Sequence, residues 1–213
     1  MALRELGLSP YNRNVIFDVG ANDGSTFSGL ACAIPWLEVY AFEPTPQLLK
    51  SLRLQMGNVG NYHIVPKAVG ETEGDVQFNV AGQGDWGCSS TLEFSSGLDE
   101  TWPGRTDFQV TERISVEMIR LDKFLKSRNV SRIDFLHVDT QGTDLSVLKS
   151  LGDEVTRVRA GVIEVPQSCE VMLYEGQHTR EEAISWLEKH QFAIWKTVPQ
   201  QNEDNIYFRR RYR

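Results

Sequence analysis

The residues best placed to do chemistry sit at the ends of short apolar runs. Val15-Ile16-Phe17 leads into Asp18-Val19-Gly20-Ala21-Asn22-Asp23-Gly24. Small residues in such a turn let the backbone approach a ligand closely, and the helix that follows offers free N–H groups. A dinucleotide fingerprint would need glycine where Asn22 stands, so the turn does not favour a pyrophosphate. Glu43 ends the next apolar run, 23 residues after Gly20. An acidic side chain there can accept hydrogen bonds from two ribose hydroxyls. His137, Asp139 and Glu164 end two further apolar runs and are candidates for moving a proton. His137 and Asp139 share one face if the run is a strand, and an ordinary imidazole pKa of about 6.5 makes His137 the better-matched base. Asp139, Asp144 and Glu164 could hold Mg²⁺, but Asp144 also suits a helix start, and no metal site is assigned.

The elements that must position these groups alternate between strand and helix. Strands are expected at Val15–Phe17, Leu37–Phe42, Tyr62–Val65, Asp75–Val80, Ile114–Ile119, Ile133–Val138 and Gly161–Val165. Helices are expected from Gly24 to Pro35, from Pro44 to Met56, over Leu145–Leu151 and over Arg180–His190. Phe192–Val198 and Ile206–Arg209 are separated by seven residues. That is too short for a helical crossover, so the last two strands pair antiparallel. In an open parallel sheet, ligands sit at the carboxyl ends of the strands, where Gly20, Glu43 and Asp139 fall.

Ala81–Phe108 is rich in Gly, Ser and Asp and carries Trp86 and Trp102. A segment of that length without a regular pattern predicts a lid or insertion over the acceptor. Either the tryptophans present flat apolar surface to it, or they anchor the loop.

Composition bounds the rest. The chain has 213 residues, 40% of them hydrophobic, enough for one domain over 1–213. Its net charge of −7 argues against a large nucleic-acid footprint, and Arg209, Arg210, Arg211 and Arg213 read as the solvated end of the last strand. Every apolar run is interrupted too soon for a membrane span, and Met1–Asn14 lacks the apolar stretch of a secretory signal. Cys32, Cys88 and Cys169 form no CxxC pair, which predicts reduced thiols in a cytoplasmic protein.

Several of these stretches together resemble the FkbM family of S-adenosylmethionine-dependent methyltransferases. They are DVGANDG, YAFEPTPQLLKSL, KAVGETEGDVQF, IRLDKFL, DFLHVDTQGTDLSVLKSL, VIEV, MLYEGQ and NIYF, spread over residues 14 to 208. The resemblance implies a Rossmann-like class I α/β fold. Its mostly parallel seven-stranded sheet would have an antiparallel last strand and helices on both faces. It implies that Asp18, Gly20, Ala21, Asn22 and Gly24 surround the methionine part of the cofactor and that Glu43 binds the ribose. Lys67 and Ala68, ending the third strand, would border the adenine, and Asp139 would lie near the transferable methyl. The family's common pattern at the fourth strand is Lys-x-Asp-x-Glu-Gly, and here His137 and Gln141 replace the lysine and glutamate. The implied reaction is O-methylation of a hydroxyl on a sugar, lipid or small metabolite. A nicotinamide-dependent oxidoreductase would need a GxGxxG turn, and a catalytically inactive ligand-binding or interaction protein of the same fold is the alternative.

Overall fold

The computed structural model describes residues 6–82 and 86–211. Met1 to Glu5, Gln83 to Asp85, Tyr212 and Arg213 therefore lie outside the described residues.

In chain order the strands are β1 (Asn14–Val19), β2 (Leu37–Phe42), β3 (Tyr62–Val65), β4 (Ala68–Val69), β5 (Gly74–Ala81), β6 (Val110–Ile119), β7 (Phe135–Val138), β8 (Ala160–Pro166), β9 (Phe192–Pro199) and β10 (Glu203–Arg210). The helices are α1 (Ser28–Ala33), α2 (Pro46–Met56), α3 (Leu98–Thr101), α4 (Leu121–Ser127), α5 (Asp144–Lys149) and α6 (Arg180–Lys189). Seven strands form one sheet in the order β3-β2-β1-β7-β8-β10-β9. β10 runs antiparallel to both neighbours, and the other pairings are parallel. The expected fold class is borne out, including the reversed last strand. β9 and β10 extend toward each other, so that only residues 200–202 join them.

β1 lies inside the sheet and is buried on both sides, as a strand covered by helices must be. Its side chains alternate between two cores. Ile16 packs with Phe27, Ala31, Leu52 and Met56 beneath α1 and α2. Phe17 and Val19 pack with Leu121, Leu125, Leu148 and Leu187 beneath α4, α5 and α6. Period-2 alternation along the strand thus supplies apolar surface to both helical layers.

Two local starts are written in the sequence. Pro46 opens α2, where its missing N–H is no loss. Thr179 and Glu182 close a reciprocal capping box at the start of α6.

One expectation needs correcting. The third strand does not reach Lys67 and Ala68, because β3 ends at Val65 before Pro66, which has no N–H to give. Ala68 instead belongs to β4, in a separate three-stranded sheet ordered β4-β6-β5. The segment after β5 is packed rather than loose along much of its length. Asn79 bridges Ser90, Phe94 bridges Tyr174, and Trp102 is buried with Leu173 and Tyr174.

Candidate functional site

The sheet order reverses between β1 and β7, and a cleft opens there at the carboxyl ends of the strands. Its empty volume is about 580 Å³ counting the open mouth. Gly20, Asn22, Glu43, Lys67, Ala68 and Asp139 all line it. Asp18, Ala21, Gly24, His137 and Glu164 are not among its lining residues.

The turn after β1 can take only glycine at its first bend. Gly20 has φ +83°, and a Cβ there would collide with the carbonyl oxygen of Asp139. The backbone N–H groups of Gly20 and Ala21 both donate to Phe42 O, at 3.0 Å each, which ties the turn to the end of β2. Asn22 follows with φ +53°, a conformation that asparagine tolerates better than most residues. Its N–H donates to Glu43 Oε2 at 2.9 Å, and the Thr45 N–H donates to Glu43 Oε1 at 2.7 Å. The Glu43 carboxylate is 4% exposed. Burial pushes its pKa up to about 7, against the bonds from Thr45 and Asn22. The carboxylate has more lone-pair sites than these bonds fill, which leaves room for a further donor.

The cleft has two unlike ends. Beside Glu43 the wall is apolar, with Phe42, Leu48, Val69, Phe78 and Met118. Toward Asp139 it becomes polar, with Thr140, Gln141, Thr143, Ser89 and Thr91. Trp86 lines the cleft and is 38% exposed, whereas Trp102 is an anchor at 5%.

Asp139 is fixed from both sides. Its N–H donates to Val19 O at 2.9 Å, and Gln141 Nε2 donates to its Oδ1 at 2.6 Å. Burial raises the Asp139 pKa, while His137 and the Gln141 bond oppose that and Asp18 adds to it. Behind it, Asp144 braces the loop. Its Oδ2 accepts from Thr140 N at 3.2 Å, and its Oδ1 accepts from Glu164 N at 3.0 Å. Burial pushes the Asp144 carboxyl up to about 7. Burial also raises Glu164, and its carboxyl hydrogen-bonds that of Glu203, itself pushed up to about 7. Among the described residues no cluster of His, Cys, Asp and Glu is arranged to hold a metal ion.

His137 lies opposite Asp18 in the β1–β7 register, with Nδ1 2.8 Å from Asp18 Oδ1. Asp18 is fully buried. Burial pulls the imidazole toward neutrality, but the bond and charge of Asp18, with Asp139 and Asp144 behind, outweigh it and raise the pKa. The ring is paired to Asp18 and stands outside the cleft lining. This placement argues against the expectation that His137 takes a proton from an acceptor.

Gln141, Tyr174, Gln177 and Glu203 carry no assigned role in the sequence reading. Gln141 and Tyr174 belong to its DTQG and YEGQ stretches, and the fold joins them. Tyr174 Oη lies 2.7 Å from Cys88 O and 3.0 Å from Gln141 Oε1, and its one proton serves one of them at a time. Gly142, with φ +91°, leaves room for the Tyr174 ring. Gln177 Oε1 in turn accepts from Tyr174 N at 3.3 Å. Tyr174→Phe is expected to cost about 1–1.5 kcal/mol, or roughly 2–6 °C of melting temperature for a chain of this size. A melt unchanged by the substitution would show that the hydroxyl bond adds nothing.

The sheet order, the glycine turn after β1 and the acidic residue after β2 together define the Rossmann-like class I methyltransferase architecture. Within that class the chain belongs to the FkbM methyltransferase family: the Methyltransferase FkbM domain model matches residues 18–194. It is 29% identical to the 2-O-methyltransferase NoeI of Sinorhizobium fredii over 168 residues, covering 76% of this chain and 66% of that protein. It is 24% identical to Methyltransferase 1 of Beauveria bassiana over 146 residues, covering 65% of this chain and 59% of that one. The chain therefore spans less than two thirds of the length of either relative. In fold it is similar to the crystal structure of Aeropyrum pernix fibrillarin with natively bound S-adenosyl-L-methionine. That match has a TM-score of 0.55 and 12% identity, and covers 94% of this chain and 68% of the other.

Proposed function

We propose that this chain transfers a methyl group from S-adenosylmethionine to a hydroxyl of a sugar-like acceptor, a lipid or a small metabolite. The observation that carries this reading is the shared cleft, which Glu43 and Asp139 enter from the ends of β2 and β7. The name of the relative NoeI, a 2-O-methyltransferase, supports the choice of a sugar-like hydroxyl.

The residues present fit this cofactor. The apolar wall of Leu48, Val69, Phe78 and Met118 suits an adenine ring, with Lys67 and Ala68 at its border. Glu43 offers two carboxylate acceptors where ribose hydroxyls would lie. The Gly20–Asn22 turn lets the backbone approach the amino-acid end, with Asp18, Ala21 and Gly24 shaping the turn from behind. When bound, the cofactor supplies an electrophilic methyl group on a sulfonium centre.

The chain's own contribution is positioning, exclusion of water and one proton transfer. Asp139 Oδ2, the oxygen that Gln141 does not occupy, would accept the proton of the acceptor hydroxyl. A carboxylate with a raised pKa is a better base than an ordinary one. His137, paired with Asp18, would position Asp139 and balance its charge. Glu164 would be the second carboxylate of the acceptor end, and Trp86 would offer a flat face to the acceptor. Residues 1–213 would act as one methyltransferase domain, with 81–108 covering the acceptor. Among the described residues no helix is long and apolar enough to cross a membrane. No disulfide joins Cys32, Cys88 and Cys169, which suits a reducing, cytoplasmic setting.

Transfer of labelled methyl from S-adenosylmethionine, screened over sugars, glycolipids and hydroxylated metabolites, tests the reading. The expected product is a labelled methyl ether. Binding of S-adenosylhomocysteine with no label on any hydroxyl acceptor would make the chain a binding protein instead.

The reading also carries a pH dependence. Ribose hydroxyls donate to the Glu43 anion, so a proton on Glu43 competes with the ligand. With a pKa of about 7, the ionised fraction, and with it the affinity for S-adenosylhomocysteine, should fall about tenfold from about pH 8 to pH 6. Calorimetric titration at the two pH values measures this, and affinity that rises toward acid would contradict it.

A further inference from the structure

Two carboxyl groups meet where β8 ends and β10 begins. The strands run antiparallel, with Asn205 opposite Glu164 and Glu203 opposite Pro166. Side chains two residues apart share a face, so Glu203 stands diagonal to Glu164, and the two carboxyls hydrogen-bond. Carboxylates only accept, so a bond between two of them needs one proton held in common.

The surroundings disfavour a second negative charge on the pair. Burial is the first cause for both groups, and Asp139 at the end of β7 adds to it. Asp144 adds to it for Glu164. On the other side, Gln177 donates to Glu203, and the charge of Arg105 opposes the rise while its guanidinium is bonded to Asp107. The Tyr174 hydroxyl nearby is held neutral, chiefly by burial. Asp204, the next residue along β10, is paired with Arg180 at 3.2 Å.

Two arms reach from this pair to the segment that covers the acceptor end. One passes through Gln177 into the loop 172–177. There Tyr174 N donates to Gln177 Oε1 at 3.3 Å, Ser95 N donates to Leu173 O at 2.9 Å, and Glu175 N donates to Glu93 O at 2.9 Å. The other passes through Asn202, beside Glu203, whose Nδ2 donates to Thr101 O at 2.7 Å. Thr101 ends α3, and Trp102 after it is buried against Leu173 and Tyr174. Both arms therefore start at residues 202 and 203.

We infer that the Glu164–Glu203 pair is a clasp at the root of both arms, closed by one shared proton and released when that proton passes to solvent. With the proton gone, two anions face each other across the β8–β10 pairing, and Glu203 is pushed from its place beside Gln177. The cover then opens more often. The sign follows from linkage. Glu203 titrates at about 7 in the closed state, against an ordinary 4.5, so closure is favoured below about pH 7 and loses that support above it. Between about pH 6 and pH 8.5 the closed state should lose about tenfold in population relative to the open one.

Hydrogen exchange of the full ligand-free chain tests this, after correction for the chemical exchange rate at each pH. The inference rests on reading residues 81–108 as a cover, but its result does not depend on methyl transfer. Protection of the Ser95, Trp102 and Glu175 amides should fall about tenfold from about pH 6 to pH 8.5. Glu203→Gln supplies an amide donor to Glu164 and an oxygen to Gln177 without a shared proton, so its protection should stay at the acid level at both pH values. That variant also separates the clasp from Asp139 and Asp144, which still titrate in it. If it does not fold, Asn202→Ala decides, because it cuts only the arm to Thr101. Trp102 should then be weakly protected at both pH values, while Ser95 and Glu175 keep their tenfold fall. Protection independent of pH in the unaltered chain overturns the inference. So does an undiminished fall in Glu203→Gln, or at Trp102 in Asn202→Ala.

Discussion

Asp139→Asn is expected to lower methyl transfer by about 10²-fold or more while S-adenosylhomocysteine affinity stays within a few-fold. Asparagine keeps the shape of the side chain and an oxygen for Gln141 Nε2, which donates to Asp139 Oδ1 at 2.6 Å. It removes only the ability to accept a proton. The effect should therefore fall on turnover and leave the cleft intact. Single-turnover rates with a competent acceptor, beside calorimetric affinities, separate the two. Full turnover in the variant would place the base elsewhere or remove the need for one.

Glu43→Ala should weaken S-adenosylhomocysteine binding by about a hundredfold or more. Two bonds from ribose hydroxyls to a charged acceptor are each worth roughly 1.5–3 kcal/mol net, and about 1.4 kcal/mol is tenfold. The variant also leaves the N–H groups of Asn22 and Thr45 without the carboxylate that now accepts from both. Glu43→Gln, which keeps the size and one carbonyl acceptor, should fall between the two. Affinity unchanged in both variants would show that the ribose is held by other groups.

The parts of this site that were legible in sequence are those set by strand ends. An apolar run that stops at a small-residue turn or at an acid places Gly20, Glu43 and Asp139 at one edge of a parallel sheet. The fold bears out that shared edge. The reversed last strand was equally legible, because a short connection cannot cross over. Pairings between distant residues were not. The Asp18–His137 pair depends on the register of β1 against β7, 119 residues apart, and only that register brings the imidazole against the buried carboxylate. Gln141 and Tyr174 were visible as motif members, but their contact spans 33 residues and needs the left-handed backbone at Gln141 and Gly142. The small β4-β6-β5 sheet was missed as a unit because β6 begins at Val110, with polar Thr111 to Arg113 before the alternating run starts. The short helix α4 has only seven residues, too few for helical periodicity to stand out.

The cleft between the Gly20 turn, Glu43 and Asp139 is proposed as the site for S-adenosylmethionine. Calorimetric titration of the full chain with S-adenosylhomocysteine at about pH 8, where Glu43 is ionised, tests it most directly. The expected result is saturable binding at one site per chain that Glu43→Ala abolishes or weakens by about a hundredfold. Absence of saturable binding by the folded, unaltered chain would contradict it.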